Sequence, residues 1–123
     1  MRQFRQTALL AVATGKSRRG LDDELDIHDA GALFVASRTS DMTQSKPHPQ
    51  MLLEILHETG FSPDNTIMVG DSALDMQLAQ NAGVLGIGVG FGAELETDLV
   101  DSGASFCAQT WPELVRHIEG LVA

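Results

Sequence analysis

Residues 68–79 read MVGDSALDMQLA, and this stretch decides the fold. The apolar run from Ile67 to Val69 has the length of a buried strand, and the turn residues 70–72, Gly-Asp-Ser, close it. Apolar residues at positions 76, 78, 79 and 82 then predict a helix, with Gly83 where a helix commonly ends. A buried strand that passes through a glycine turn into a helix is the repeating unit of a parallel α/β sheet.

The same alternation covers the rest of the chain. Strands are predicted at 8–13, 33–36, 67–69, 84–89 and 104–108, and helices after Ser17 and at 52–59, 76–82, 94–100 and 111–121. The strands lack the polar–apolar alternation of a sheet with one wet face, which indicates helices on both faces. The fold class is therefore α/β, a Rossmann-like three-layer arrangement with a mainly parallel sheet, in a single domain over residues 1–123. Ligands of such sheets bind at the carboxyl ends of the strands.

Composition and charge limit the classes of partner and the compartment expected for the protein. Of the 123 residues, 43% are hydrophobic and 20% are charged, and the net charge is −9. This acidic balance argues against nucleic acid or an anionic membrane as a partner, because both require clustered Lys and Arg. No apolar run approaches the ~20 residues of a membrane-spanning helix. The single cysteine, Cys107, and the absence of a signal peptide predict a cytoplasmic protein.

Two acids follow the strand in the opening stretch. Asp71 and Asp75 are four residues apart, so a helix that begins near Ser72 would place both carboxylates at its first turn and on one side. Two carboxylates held together at a strand end favour a hard divalent cation, and Mg²⁺ accepts one or two such ligands while it keeps several waters. The alternative is purely structural: Asp71 caps the helix, and Asp75 is a solvated acid of the first turn.

Two further features predict anion binding. The run ALLAVATGKS at 8–17 ends in Thr14-Gly15, but Leu10 stands where a P-loop needs its first glycine, so a nucleotide-binding loop is disfavoured. Lys46 precedes Pro47 at the entry to the next helix, where an extended backbone can direct its ammonium at an anion. The structural alternatives are a hydroxyl that caps the next turn for Thr14 and an ordinary surface lysine for Lys46.

Thr14-Gly15, Ser45-Lys46-Pro47 and Gly70-Asp71-x-x-x-Asp75 occur in this order along the chain. Together they resemble the second, third and fourth motifs of the haloacid dehalogenase (HAD) superfamily. Within it, the sequence segments SKPHPQMLLEIL and MVGDSALDMQLAQNAG are most similar to the phosphoglycolate-phosphatase-like branch. The resemblance implies Mg²⁺-dependent hydrolysis of small phosphorylated metabolites through a phosphoaspartyl intermediate. It implies that Thr14, Gly15 and Lys46 bind the phosphoryl group, with Thr14 and Lys46 catalytic, and that Asp71 and Asp75 hold the metal.

The first motif of that family, Asp-x-Asp after a hydrophobic strand, has no counterpart, because no aspartate of the sequence has another two residues later. The resemblance implies that the missing strand is the central one, between those that carry Thr14 and Asp71, and that the substrate-selecting cap is absent. The chain is thus expected to be a truncated, C-terminal part of a phosphatase core. We expect the two strands that flank the missing one to pair directly with each other or to accept a strand from another chain, which would promote oligomerisation.

Three functions stay open at this point. The first is a phosphatase core that is inactive alone because it lacks the nucleophile. The second is a non-catalytic module that binds Mg²⁺ and phosphate. The third is a receiver-like phosphoacceptor modified at Asp71.

The remaining candidates are given structural roles: His48 as a turn residue, Cys107 in the core, and the glycines at 86, 88, 90 and 92 for close packing.

Overall fold

The computed structural model describes residues 9–90 and 96–122. The chain divides into two compact units, Met1–Phe61 and Ser62–Ala123, called unit 1 and unit 2 below. Each is built from parallel strands alternating with helices, which confirms the predicted α/β class. The first residues of two predicted elements, Ala8 and Glu94, lie outside the described residues, and the single domain stays a prediction.

The described part of unit 1 contains two strands and two α-helices: β1 at Leu10–Ala13, α1 at Arg18–Ile27, β2 at Phe34–Arg38 and α2 at Gln50–Thr59, with a 3-10 turn at Gly31–Leu33. β1 and β2 pair in parallel, with Val12 opposite Ser37. The apolar face of α2 packs on the strands, and its buried residues are Met51, Leu52, Ile55 and Leu56. The predicted stop is confirmed, because Gly60 ends α2 at φ 79°, a left-handed conformation that glycine adopts without strain.

Outside residues 91–95 and 123, unit 2 contains three strands and three α-helices: β3 at Ile67–Gly70, α3 at Ala73–Ala82, β4 at Leu85–Val89, α4 at Glu96–Asp101, β5 at Phe106–Ala108 and α5 at Trp111–Val122, after a 3-10 turn at Pro63–Asn65. The strands pair in parallel in the order β3-β4-β5. Gly83 ends α3 at φ 75°, as predicted.

Alternate residues of β4 face different helices. Ile87 and Val89 pack with Leu114 of α5, while a side chain at Gly86 would meet Met76 and Ala79 of α3. A side chain at Gly88 would likewise meet Leu99 of α4, at 3.1 Å from its Cδ1. The predicted covering of the sheet on both faces is therefore confirmed within unit 2. The glycines of β4 permit the close approach of α3 and α4, which confirms their predicted packing role.

Strands β1 and β3 each have a single partner. Among the described residues β1 pairs only with β2, and β3 pairs only with β4, so each strand keeps one edge without a hydrogen-bonded neighbour. These are the two strands that precede Thr14 and Asp71, the strands predicted to flank the missing one. Within the same residues, no helix has the length and hydropathy needed to cross a lipid bilayer.

Candidate phosphate and metal site

Thr14 stands directly after β1, at the carboxyl edge of the sheet in unit 1. Its backbone N–H donates to the carbonyl of Arg38 at 3.1 Å, which continues the pairing with β2. Its Oγ1 accepts from the backbone N–H of Lys16 at 3.1 Å, so the hydroxyl does cap the following turn. This does not exclude phosphate binding, because a threonine hydroxyl that accepts one hydrogen bond still carries a proton to donate.

Gly15 and Lys16 lie on the exposed surface after Thr14. The space beside Gly15 is open, with no atom within 4 Å of the position a Cβ would take. The ammonium of Lys16 pairs with Glu24 of α1 at 3.1 Å, with both side chains about half exposed. The ammonium of Lys16 is therefore paired with the helix that follows it. This agrees with the prediction that the segment is not a nucleotide-binding P-loop.

Lys46 lies half-buried in the loop that joins β2 to α2, and the bond between Lys46 and Pro47 is cis. Hydrogen bonds fix the chain on both sides of it. Before Lys46, the backbone N–H of Gln44 donates to Oε1 of Gln50 at 2.8 Å. After it, the N–H of His48 donates to the carbonyl of Ser45, and Nδ1 of His48 accepts from the N–H of Gln50, each at 3.1 Å. His48 is thus a turn residue, as predicted, and its ring also accepts from the N–H of the first residue of α2.

Helix α2 is in turn anchored to the end of β2. Arg38, the last residue of β2, donates through Nε to Glu54 and through Nη2 to Glu58, both at 2.8 Å. These bonds raise the pKa of Arg38, and the bond from Arg38 is the main cause that lowers the pKa of Glu54. Gln50 donates to the other oxygen of Glu54 at 2.7 Å. The Lys46 loop is therefore tied through Gln50 and Glu54 to the carboxyl end of β2.

Asp71 and Asp75 occupy the corresponding edge of unit 2. Asp71 is exposed just after β3, and Ser72 is the N-cap of α3, where its Oγ accepts from the N–H of Asp75 at 3.2 Å. The expectation that both acids lie in the first helical turn is wrong for Asp71, which precedes the cap. The structural alternative is also wrong: Asp71 is not the N-cap, and Asp75 is only 8% exposed.

The burial of Asp75 depends on Gly70. A Cβ on Gly70 would stand 2.5 Å from Oδ2 of Asp75 and 2.7 Å from its Cγ, so the carboxylate lies against the glycine backbone. Oxygen donors of this kind suit Mg²⁺, which takes one or two carboxylates and completes its shell with water. No cluster of three or more His, Cys, Asp or Glu side chains able to hold a metal occurs among residues 9–90 and 96–122. The pair fits a water-rich Mg²⁺ site rather than an all-protein cage.

One residue at the carboxyl edge of the sheet in unit 1 was missed from the sequence. Asp41 follows β2, and its carboxylate accepts hydrogen bonds from the backbone N–H of Arg18, at 3.0 Å to Oδ1 and 3.2 Å to Oδ2. It also accepts from the hydroxyl of Thr39, a fully buried residue, at 2.5 Å. The only available signal was a polar run, Ser40-Asp41, just beyond a predicted strand.

These bonds stabilise the charged form of Asp41. Its pKa is lowered, first by the Thr39 hydroxyl and then by the Arg18 backbone N–H. A carboxyl whose pKa is lower in the folded state contributes stability above its unfolded pKa and loses that contribution as the pH falls through the folded value. Asp41 is therefore charged at neutral pH, and its contribution to stability is lost only in acid.

The predicted site residues fall into two groups. Thr14 and Gly15 follow β1, and the loop with Lys46 follows β2, so in unit 1 they leave the same edge of one sheet. Asp71 and Asp75 follow β3 in unit 2. That all of them serve one pocket stays a prediction.

Comparison with known proteins identifies the family of the chain. The family model described as haloacid dehalogenase-like hydrolase matches residues 4–89, more than half of the chain. IndB of Dickeya dadantii, a probable phosphatase, is 32% identical over 114 residues, which cover 92% of this chain and 50% of that protein. A phosphoglycolate phosphatase of Pseudomonas putida is 34% identical over 89 residues, which cover 72% of this chain and 33% of that protein. The chain thus spans half or less of the length of these two curated relatives.

A solved structure shows the same fold. A haloacid dehalogenase-like family hydrolase of Streptococcus pneumoniae superposes with a TM-score of 0.84 at 19% identity, over 95% of this chain and 55% of that one. At this identity the likeness shows the fold alone.

Proposed function

Because the chain belongs to the family of haloacid dehalogenase-like hydrolases, we propose that it is the phosphate- and Mg²⁺-binding core of a phosphatase for small phosphorylated metabolites. The observation that carries the proposal is the arrangement at β3. An exposed Asp71 follows the strand directly, and a buried Asp75 is held one helical turn later against Gly70. A buried carboxylate beside an exposed one, at the ligand-binding end of a strand, suits a cation that takes carboxylate oxygens.

The phosphate side of the proposed site consists of Thr14, Gly15 and Lys46. The Thr14 hydroxyl donates to a phosphoryl oxygen, and its orientation is set by the Lys16 N–H that it accepts. The backbone N–H of Gly15, an exposed residue, supplies a second donor, and the Lys46 ammonium neutralises charge on the phosphoryl oxygens. In this role Thr14 and Lys46 stabilise the transition state of phosphoryl transfer, which depends mainly on positioning and charge.

The metal side consists of Asp71 and Asp75. Asp71, the exposed acid, is a direct ligand, while Asp75 binds through a metal water or orients the first ligand shell. When bound, Mg²⁺ neutralises charge on the phosphoryl group and orients it. The two carboxylates have no chemical step of their own in this proposal; they hold the ion in place.

The Asp-x-Asp motif, which the resemblance implies carries the nucleophile, does not occur among these 123 residues. We therefore propose that the chain alone binds Mg²⁺ and phosphate but does not turn over, and that a strand supplied by another polypeptide chain can pair with the open edges of β1 and β3. The second candidate function, a non-catalytic Mg²⁺- and phosphate-binding module, is favoured by the same retained residues. The cytoplasm is the proposed compartment, and Cys107, buried and without a disulfide, is consistent with it.

Binding and turnover measured on the same sample test this proposal. We expect Mg²⁺ binding by calorimetry, phosphate binding in the presence of Mg²⁺, and negligible hydrolysis of p-nitrophenyl phosphate. Asp71→Asn should weaken Mg²⁺ binding by about tenfold or more, because the direct ligand loses its charge. Asp64→Asn, at an exposed acid of the turn before β3, is the matched control and should bind as the native chain does.

Each contrary result has a distinct meaning. Binding of neither Mg²⁺ nor phosphate at millimolar concentrations would refute the proposed site. Turnover that Asp71→Asn abolishes would refute inactivity and reveal a replacement nucleophile. Stable phosphorylation of Asp71 by an acyl phosphate, detected by mass spectrometry, would instead establish the receiver-like alternative.

A further inference from the structure

We propose that Asp41 is a positioning residue, which holds the loop of residues 14–18 so that the Thr14 hydroxyl keeps a fixed orientation. The inference rests on the proposed phosphate-binding role of Thr14. It concerns a residue that contacts neither the phosphate nor the metal in the proposed site and acts only through the protein backbone.

The first connection is the carboxylate itself. Asp41 binds the N–H of Arg18, the first residue of α1, with both oxygens, and Thr39 donates to the same carboxylate. Thr39 is fully buried, so its hydroxyl is fixed by packing and holds the Asp41 side chain toward α1. Local capping of α1 is already provided by Ser17, whose Oγ accepts from Gly20 at 3.1 Å. Asp41 therefore adds a connection between two loops rather than the local cap of the helix.

A second connection reinforces the first. Ser40, the neighbour of Asp41, donates from its backbone N–H at 3.0 Å and from its hydroxyl at 3.2 Å to the carbonyl of Lys16. The carbonyl and the N–H of Lys16 are thus both engaged, since its N–H donates to Thr14 Oγ1. The loop after β2 consequently determines where Lys16 lies, and Lys16 determines how the Thr14 hydroxyl is oriented.

Two possible roles of Asp41 predict opposite effects on phosphate binding when its charge is neutralised. If Asp41 acted only as a nearby negative charge, its neutralisation would strengthen phosphate binding. If it positions Thr14, its neutralisation weakens phosphate binding, because the donor loses its fixed orientation. The sign of the change therefore separates positioning from simple electrostatics.

The experiment compares the native chain with Asp41→Asn, and with Asp23→Asn as a control of equal charge at an exposed position of α1. The first readout is the backbone amide resonances and hydrogen exchange of Gly15, Lys16 and Arg18, without phosphate. The second is the dissociation constant for inorganic phosphate with saturating Mg²⁺. Thr39→Val, which keeps the shape of the buried residue and removes its hydroxyl, replaces Asp41→Asn if that variant does not fold.

We expect Asp41→Asn to shift the three resonances, to accelerate exchange of the Lys16 amide, and to raise the phosphate dissociation constant about tenfold. Asp23→Asn should match the native chain in both readouts. Unchanged amide exchange at Lys16, or phosphate affinity that is equal or tighter in Asp41→Asn, would overturn the inference. If the native chain binds no phosphate, the proposed function fails, and the exchange of the Lys16 amide alone decides whether Asp41 holds the loop.

Discussion

Gly70→Ala is expected to destabilise the chain by about 1–3 kcal/mol, the usual cost of overpacking a buried site, and to weaken Mg²⁺ binding. The reason is steric. The new methyl group would overlap the Asp75 carboxylate, with Oδ2 only 2.5 Å away, and Asp75 is just 8% exposed. Because Cβ of Asp75 lies even closer to the new methyl group, a rotation of the side chain cannot relieve the overlap. The first turn of α3 must therefore shift from the strand, and the proposed metal site loses its second acid.

Urea unfolding and Mg²⁺ titration of the same variant check this expectation. Gly31→Ala is the matched control, because no atom lies within 4 Å of its Cβ position and its backbone is not left-handed. The control should keep native stability within about 0.5 kcal/mol and native Mg²⁺ affinity. Native Mg²⁺ affinity in Gly70→Ala would show that the position of Asp75 against Gly70 is irrelevant to the metal.

Leu78→Ala is expected to cost about 2–5 kcal/mol of the free energy of unfolding, because it leaves a cavity in a packed core. Leu78 lies in α3 with no exposed surface, one turn beyond Asp75. The same substitution at Leu74, in the same helix but 47% exposed, is the matched control. Leu74→Ala should change the stability by less than about 1 kcal/mol.

Chemical denaturation of the two variants in parallel tests this difference. Because α3 carries Asp75, a loosened helix should also reduce Mg²⁺ affinity in Leu78→Ala, while Leu74→Ala should bind Mg²⁺ normally. Equal losses of stability in the two variants would contradict the burial of Leu78, and with it the packing of α3 that holds Asp75.

The elements were predictable from the sequence because each carries a local signal. Short apolar runs set the strands, and Gly60 and Gly83 mark the ends of α2 and α3 in left-handed conformations that few other residues adopt. The glycines of β4 were correctly assigned to packing, because a run such as Leu85–Val89 is interrupted only where a helix comes close.

The details of the site were less predictable because they depend on contacts between distant residues. Asp71 and Ser72 are both good N-cap residues, and only the backbone conformation selects Ser72. The burial of Asp75 follows from the missing side chain of Gly70, which composition alone does not reveal. The connection of Asp41 to Arg18 spans 23 residues and requires the parallel pairing of β1 with β2, so no local pattern could indicate it.

The central proposal is that Thr14 and Lys46 bind a phosphate that is also bound by the metal ion held by Asp71 and Asp75. Mn²⁺, which takes the same carboxylate and water ligands as Mg²⁺, tests it directly through paramagnetic broadening of backbone amide signals in the presence of inorganic phosphate. The proposal predicts broadening at 14, 15 and 46 together with 71 and 75, and its loss from all five in Asp71→Asn. Broadening confined to 71 and 75, with 14, 15 and 46 unaffected, would contradict a shared site.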